Sequence, residues 1–179
     1  YKDLSFAIES KEGVFDISSE ELAKTMATFK TSADVVIAIN DVQELKKAYR
    51  ISRILEVVLG GALAIGASDV HIEPEEEDVR MRYRLDGVLN DVTRFDAETY
   101  RLLLSRIKLL SGLKLNIHDR AQDGRFSIEL KESEIEIRTS VIPGAYGESI
   151  VMRILNPEAI AVSFEDLGME ASLRDVVLA

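Results

Sequence analysis

The chain has 179 residues, 46% of them hydrophobic and 30% charged, which suits one good-sized globular domain with flanking segments. A net charge of -10 excludes a nonspecific nucleic-acid binder, which needs a basic footprint, and argues against simple adhesion to anionic lipid. With no cysteine, disulfide and thiolate chemistry are excluded, which fits a reducing cytoplasm, and the apolar run around Val57 to Ile65 is too short to span a bilayer.

Residues 1 to 42 are the least regular. Ser18-Ser19-Glu20-Glu21 places a hydroxyl cap and acids at a helix start, predicting a short helix to about Lys30 with Leu22, Met26 and Phe29 on one side. Asp34 to Asn40 reads equally as a strand or a helical turn, because periodicity cannot decide so short an apolar run. From about Val42 to Ala67 apolar residues recur at helical spacing. Gly60-Gly61 inside that stretch predicts close packing or a bend, since each glycine costs about 1 kcal/mol in a helix interior. Gly66 suits the helix end.

Next come Asp69 to Glu73, an acidic turn Glu75 to Asp78, and a period-two strand from Val79 to Leu85. Val79, Met81, Tyr83 and Leu85 form its apolar face; Arg80, Arg82 and Arg84 form the other, which reads as a solvated face near the acidic turn. Asp86-Gly87 is a hairpin-turn dipeptide, returning the chain as a strand from Val88 to Thr93. Asp96 caps a helix to about Leu110, with Leu103, Ile107 and Leu110 inward and Arg101, Arg106 and Lys108 reaching water. After a polar linker from Lys114 to Asp123, three more strands are predicted. Their apolar ladders are Phe126, Ile128 and Leu130; Ile135, Ile137 and Val141; and Ile150, Met152 and Ile154. The order is helix, three strands, helix, three strands. It predicts an α+β layered domain with a mostly antiparallel sheet of about six strands.

Several chemistries are missing from the sequence. It has no Gly-x-x-x-x-Gly-Lys-Ser/Thr phosphate loop, so the fragment is not expected to hydrolyse nucleotide. Its two histidines, His71 and His118, have no metal-ligand spacing. Asp69 and His71 share a strand face, where a hydrogen-bonded structural pair is favoured over a metal pair. Ser140 with His118 makes a poor hydrolase pair, lacking the glycines of a nucleophile elbow.

Arg125, Arg138 and Arg153 fall on the faces opposite the three apolar ladders. Pairing the first two strands with their apolar sets on one side puts Arg138 either directly opposite Arg125 or one diagonal step away. Half-buried arginines on a sheet call for anions. Glu129, Glu136 and Glu148 could supply them internally, giving a salt-bridged sheet face; the functional alternative is a cluster facing phosphate on another domain or subunit.

Several blocks, in order, resemble one family. They are Gly66-Ala67-Ser68-Asp69-Val70-His71-Ile72-Glu73-Pro74, Arg82 to Leu89, Ser105 to Leu113, Gln122-Asp123-Gly124-Arg125, Gly147 to Leu155 and Phe164 to Met169. Together they are similar to the secretion ATPase superfamily, the GspE/PulE and PilB group of type II secretion and type IV pilus assembly motors. The likeness covers roughly residues 48 to 170. It implies a PAS-like domain at 48–156, preceded by a linker or helical segment at 1–47 and followed at 157–179 by a linker toward a RecA-like ATPase domain. The first residue is not Met, and both ends read as cut from a longer protein.

The resemblance further implies a cytoplasmic homohexamer, peripheral to the inner membrane, that binds ATP and Mg on its RecA-like domains. Its partners would be that motor domain, neighbouring subunits, a membrane platform protein and a cytoplasmic adaptor, with no nucleic acid. By motif position, Arg125, Arg138 and Arg153 would be the arginines that reach nucleotide, while Asp123-Gly124 would fix a turn before Arg125. Two other classes compete: a small-molecule sensor of PAS-like fold, poorly supported by 6% aromatic content, and an acidic interaction module for a basic partner.

Overall fold

A computed structural model of the chain describes residues 14–15, 19–42, 47–130 and 133–157. The linker expected at 157–179 lies outside them, apart from Pro157.

A two-residue strand, β1 (Val14–Phe15), precedes three helices: α1 (Ser19–Thr28), α2 (Ser32–Val42) and α3 (Lys47–Ile65). The ambiguous segment Asp34 to Asn40 is helical. The Asp34 carboxylate accepts the backbone N–H groups of Lys30 and Thr31 at 2.9 and 2.8 Å, organising the turn that opens α2. Val35, Ile39 and Val42 then fall on one stripe and are buried in the same core as α3. Val42 therefore closes α2 instead of opening the long helix, which begins at Lys47. Gly61 explains the glycine pair: a Cβ there would sit 2.5 Å from Val35 Cγ2 and 3.1 Å from the Tyr83 hydroxyl, so α2 and β3 both press on α3 at that point.

The remaining elements are β2 (Asp69–Pro74), β3 (Val79–Leu85), β4 (Val88–Phe95), α4 (Ala97–Leu110), β5 (Gln122–Glu129), β6 (Glu134–Gly144) and β7 (Gly147–Leu155). Asp86 and Gly87 take φ of 49° and 81°, the left-handed pair that a tight hairpin needs. Asp96 caps α4 by accepting from Thr99 N at 2.7 Å. The fold is α+β; among the described residues the sheet has six antiparallel strands plus β1, which runs parallel to β5, in the order β1-β5-β6-β7-β2-β3-β4.

The two three-strand runs join where β7 pairs with β2. One sheet face carries Val70, Ile72, Met81, Tyr83, Phe126, Ile137, Ile150 and Met152, all buried against the helices. Tyr83 Oη donates to the Val58 carbonyl of α3 at 2.6 Å, and Tyr100 of α4 donates to the Glu148 carbonyl of β7. The opposite, polar face holds the candidate site.

Lys108 departs from expectation. It is 1% exposed instead of reaching water. Glu148 shares the parity of Ile150 and Met152, so its carboxylate points to the helix side, and Lys108 turns inward to meet it, Nζ 2.7 Å from Oε1. Lys108 Nζ also donates to the Ile117 carbonyl at 2.8 Å, and His118 Nδ1 lies 2.8 Å from Glu148 Oε2. This network ties the linker after α4 to the sheet.

Candidate anion-facing arginine row

Strand parity sends Arg125, Arg138 and Arg153 to the polar face, and register does the rest. Arg125 pairs directly with Arg138, Arg138 with Arg153, Arg153 with Asp69, and Asp69 with Arg84. Five strands thus present one row: arginine, arginine, arginine, aspartate, arginine. Directly opposed residues hold their Cβ atoms about 4.5–5.5 Å apart, where like charges destabilise each other. The direct alternative for Arg125 and Arg138 is the one adopted.

The three arginines are not half-buried, as expected, but mostly exposed: the side chains of Arg125, Arg138 and Arg153 are 76%, 66% and 65% accessible. The helices lie on the other face, so long guanidinium side chains here run out into water.

Among the described residues, two carboxylates serve the row's four guanidiniums. Arg138 Nε donates to Glu136 Oε1 at 2.9 Å, while Arg125 Nη1 is 3.7 Å from Glu136 Oε2. Arg153 Nε donates to Asp69 Oδ1 at 3.0 Å, and Arg84 Nε is 3.7 Å from Asp69 Oδ2. Asp69 also accepts from Ser68 Oγ at 2.8 Å and is only 5% exposed. Burial pushes its carboxyl pKa up. The bonds from Ser68 and Arg153, with the charges of Arg153 and Arg84, outweigh this and hold it below the ordinary 3.8.

The other expected carboxylates are elsewhere. Glu148 is on the helix side with Lys108, and Glu129 faces Glu134 at the far end of β5. Arg80 and Arg82 pair with the acids of their own hairpin, Arg80 with Glu75 at 2.9 Å and Arg82 with Glu73. Their side chains are only 29% and 20% exposed, so this part of the face is compensated by hairpin carboxylates instead of solvated as expected. Arg84 joins the row instead.

Further expectations are corrected. Asp69 gives its oxygens to Ser68 and Arg153, so it makes no hydrogen-bonded pair with His71, whose Nδ1 lies 3.8 Å from Glu73. Ser140 Oγ donates to Asp123 Oδ1, while His118 sits against Glu148, in agreement with setting that hydrolase pair aside. Asp123-Gly124 forms no turn; both residues are inside β5. Gly124 is needed there because a Cβ would overlap the Ser111 carbonyl oxygen at the end of α4 and come within 2.8 Å of Leu113 Cδ2. The last turn of α4 is thereby pressed against the strand one residue before Arg125, and a shallow surface depression borders Arg125 and Arg138.

Sequence reasoning passed over Asp69 as the partner of Arg153. The parity of Val70 puts Asp69 on the polar face, but no local signal says that β2 lies beside β7. The buried role of Glu148 was within reach, since it alternates with Ile150 and Met152.

A family model described as "Type II/IV secretion system protein" matches residues 44–179. The chain is 39% identical over 124 residues to the type IV pilus assembly ATPase TfpB of Acinetobacter baylyi, covering 69% of this chain and 21% of that protein. It is 37% identical over 145 residues to type II secretion system protein E of Pseudomonas aeruginosa, covering 81% and 29%. To type II secretion system ATPase E of Vibrio cholerae it is 32% identical over 156 residues, covering 87% and 31%. The chain thus spans between 21% and 31% of the length of these relatives. The pilus retraction motor PilT with bound ADP aligns over 68% of this chain and 34% of its own at 20% identity and a TM-score of 0.40, a likeness too slight to bear on function.

Proposed function

We propose that this chain, which belongs to the type II/IV secretion system protein family, is the non-catalytic PAS-like domain of a hexameric secretion or pilus-assembly ATPase. In this reading the domain precedes a RecA-like motor domain and lends it arginines. Arg125, Arg138 and Arg153 reach toward nucleotide bound on the motor domain of the same or a neighbouring subunit. Movement of the domain against the motor couples nucleotide state to export of pilin or pseudopilin. Its partners are the motor domain, the neighbouring subunits, a membrane platform protein and a cytoplasmic adaptor, with the assembly peripheral to the inner membrane.

The observation that carries the reading is the row itself. Three arginines in direct register are exposed, and among the described residues their local carboxylates are too few to neutralise them. A phosphate chain fits this deficit, because planar guanidinium forks bind phosphate oxygens bidentately. ATP, when held with Mg on the motor domain, supplies the phosphoryl group. The chain's own contribution is fixed positive charge beside it, which stabilises charge developing in transfer.

The test is Arg138→Ala and Arg125→Ala in the full-length parent protein, with folding checked by circular dichroism. ATP turnover is expected to fall by roughly 10²-fold, the scale of losing one charge-stabilising donor. Wild-type turnover in both folded variants would overturn the arginine role.

A further inference from the structure

The two carboxylates of the row differ in kind. Asp69 is 5% exposed and holds three partners: Ser68, Arg153 and Arg84. Glu136 is 33% exposed and holds two: Arg138 through one hydrogen bond and Arg125 at 3.7 Å. A buried carboxylate with several charged partners is costly to strip, because its removal strands the cations around it. An exposed ion pair is worth little and exchanges readily with water or another anion.

From this difference we infer that Glu136 is a displaceable internal counter-ion, occupying Arg125 and Arg138 until a phosphate takes them from it. The inference rests on the proposed phosphate-facing role of the row and divides labour within it. Glu136 lies two residues before Arg138 on β6, and on β5 its cross-strand partner is Ser127, two residues beyond Arg125. It therefore reaches both guanidiniums from one side of the row. Arg138 engages it through Nε, so the terminal nitrogen pair that suits a phosphate is not used in that contact. In the free domain Glu136 relieves the repulsion between two directly opposed arginines and keeps them over the sheet. An incoming phosphate must displace it, so Glu136 lowers affinity and reserves the site for ligands more charged than one carboxylate. Arg153 keeps its Nε bond to the buried Asp69, which leaves its terminal nitrogens to reach toward phosphate without a change of partner.

The experiment is calorimetric titration of this chain with inorganic tripolyphosphate, comparing wild type with E136Q, E134Q, R138A and E136Q/R138A. Glu134 lies on the same strand with the same parity, two residues further from Arg138, so E134Q makes the same change in net charge away from the arginine pair. E136Q is expected to bind about two- to fivefold tighter, the scale of one exposed ion pair released. E134Q should bind within error of wild type, R138A should bind more weakly, and the gain from E136Q should vanish in the R138A background. Equal tightening by E136Q and E134Q would reduce the effect to net charge and overturn the inference. Unchanged or weaker binding by E136Q, with R138A still weakened, would also overturn it while leaving the arginine row standing. Binding indifferent to R138A, or absent in every variant, would overturn both.

Discussion

Lys108 Nζ lies 2.7 Å from Glu148 Oε1 in the interior, joining α4 to β7 where each side chain is almost wholly enclosed. Lys108→Met keeps the stem but leaves Glu148 without its ammonium. Breaking a buried pair from one side costs about 3–5 kcal/mol, whereas replacing both partners by apolar groups can be nearly neutral. Denaturant unfolding should therefore show K108M strongly destabilised and K108M/E148L recovering most of the loss. A single variant as stable as wild type would show that the pair does not hold these elements together.

Two glycines should respond differently to alanine. At Gly124 the new methyl meets a backbone carbonyl oxygen, that of Ser111, which cannot move without shifting the end of α4. At Gly61 the first obstacle is a side-chain methyl, that of Val35, 2.5 Å away, and not backbone, and helix propensity returns about 1 kcal/mol. G124A should cost at least about 1–3 kcal/mol, as overpacking does, and G61A clearly less. Paired urea melts read the order, and a larger loss in G61A would refute it.

Stability should depend on pH through His71. Burial pulls its pKa below the ordinary 6.5; Glu73 and Asp69 pull it up, Arg84 and Arg82 down, and the net shift is downward. The unfolded chain then holds the proton more tightly than the fold. The contribution of neutral His71 is present above 6.5 and is lost as pH falls below it toward the folded value. Thermal melts at about pH 7.5 and about pH 5.5 should show wild type losing more than H71Q across the step, the variant having nothing to titrate there. Identical losses in the two proteins would remove His71 from the pH response.

Local pattern carried much of the fold. The Asp86-Gly87 hairpin, the Asp96 cap, the buried sides of β3, β5, β6 and β7, and the side on which Arg125, Arg138 and Arg153 stand all follow from period, turn chemistry or capping within a few residues. The nature of the Asp34 to Asn40 segment did not follow, because a stripe of three apolar residues becomes helical only once α3 and the Asp34 cap are beside it. Nor did the burial of Lys108, since exposure of a long cation depends on whether a carboxylate waits below it.

Composition and alternation along the chain were enough to specify an α+β layer with arginines on one surface of the sheet, because side-chain direction in a strand is a local property. Which residues stand next to those arginines is not local. The pairing of β7 with β2 brings together residues 84 positions apart, Asp69 and Arg153, and so gives one arginine a buried carboxylate while Arg125 and Arg138 share a half-buried glutamate. Strand order is chosen by the burial of the whole apolar face at once, and no single segment contains that information.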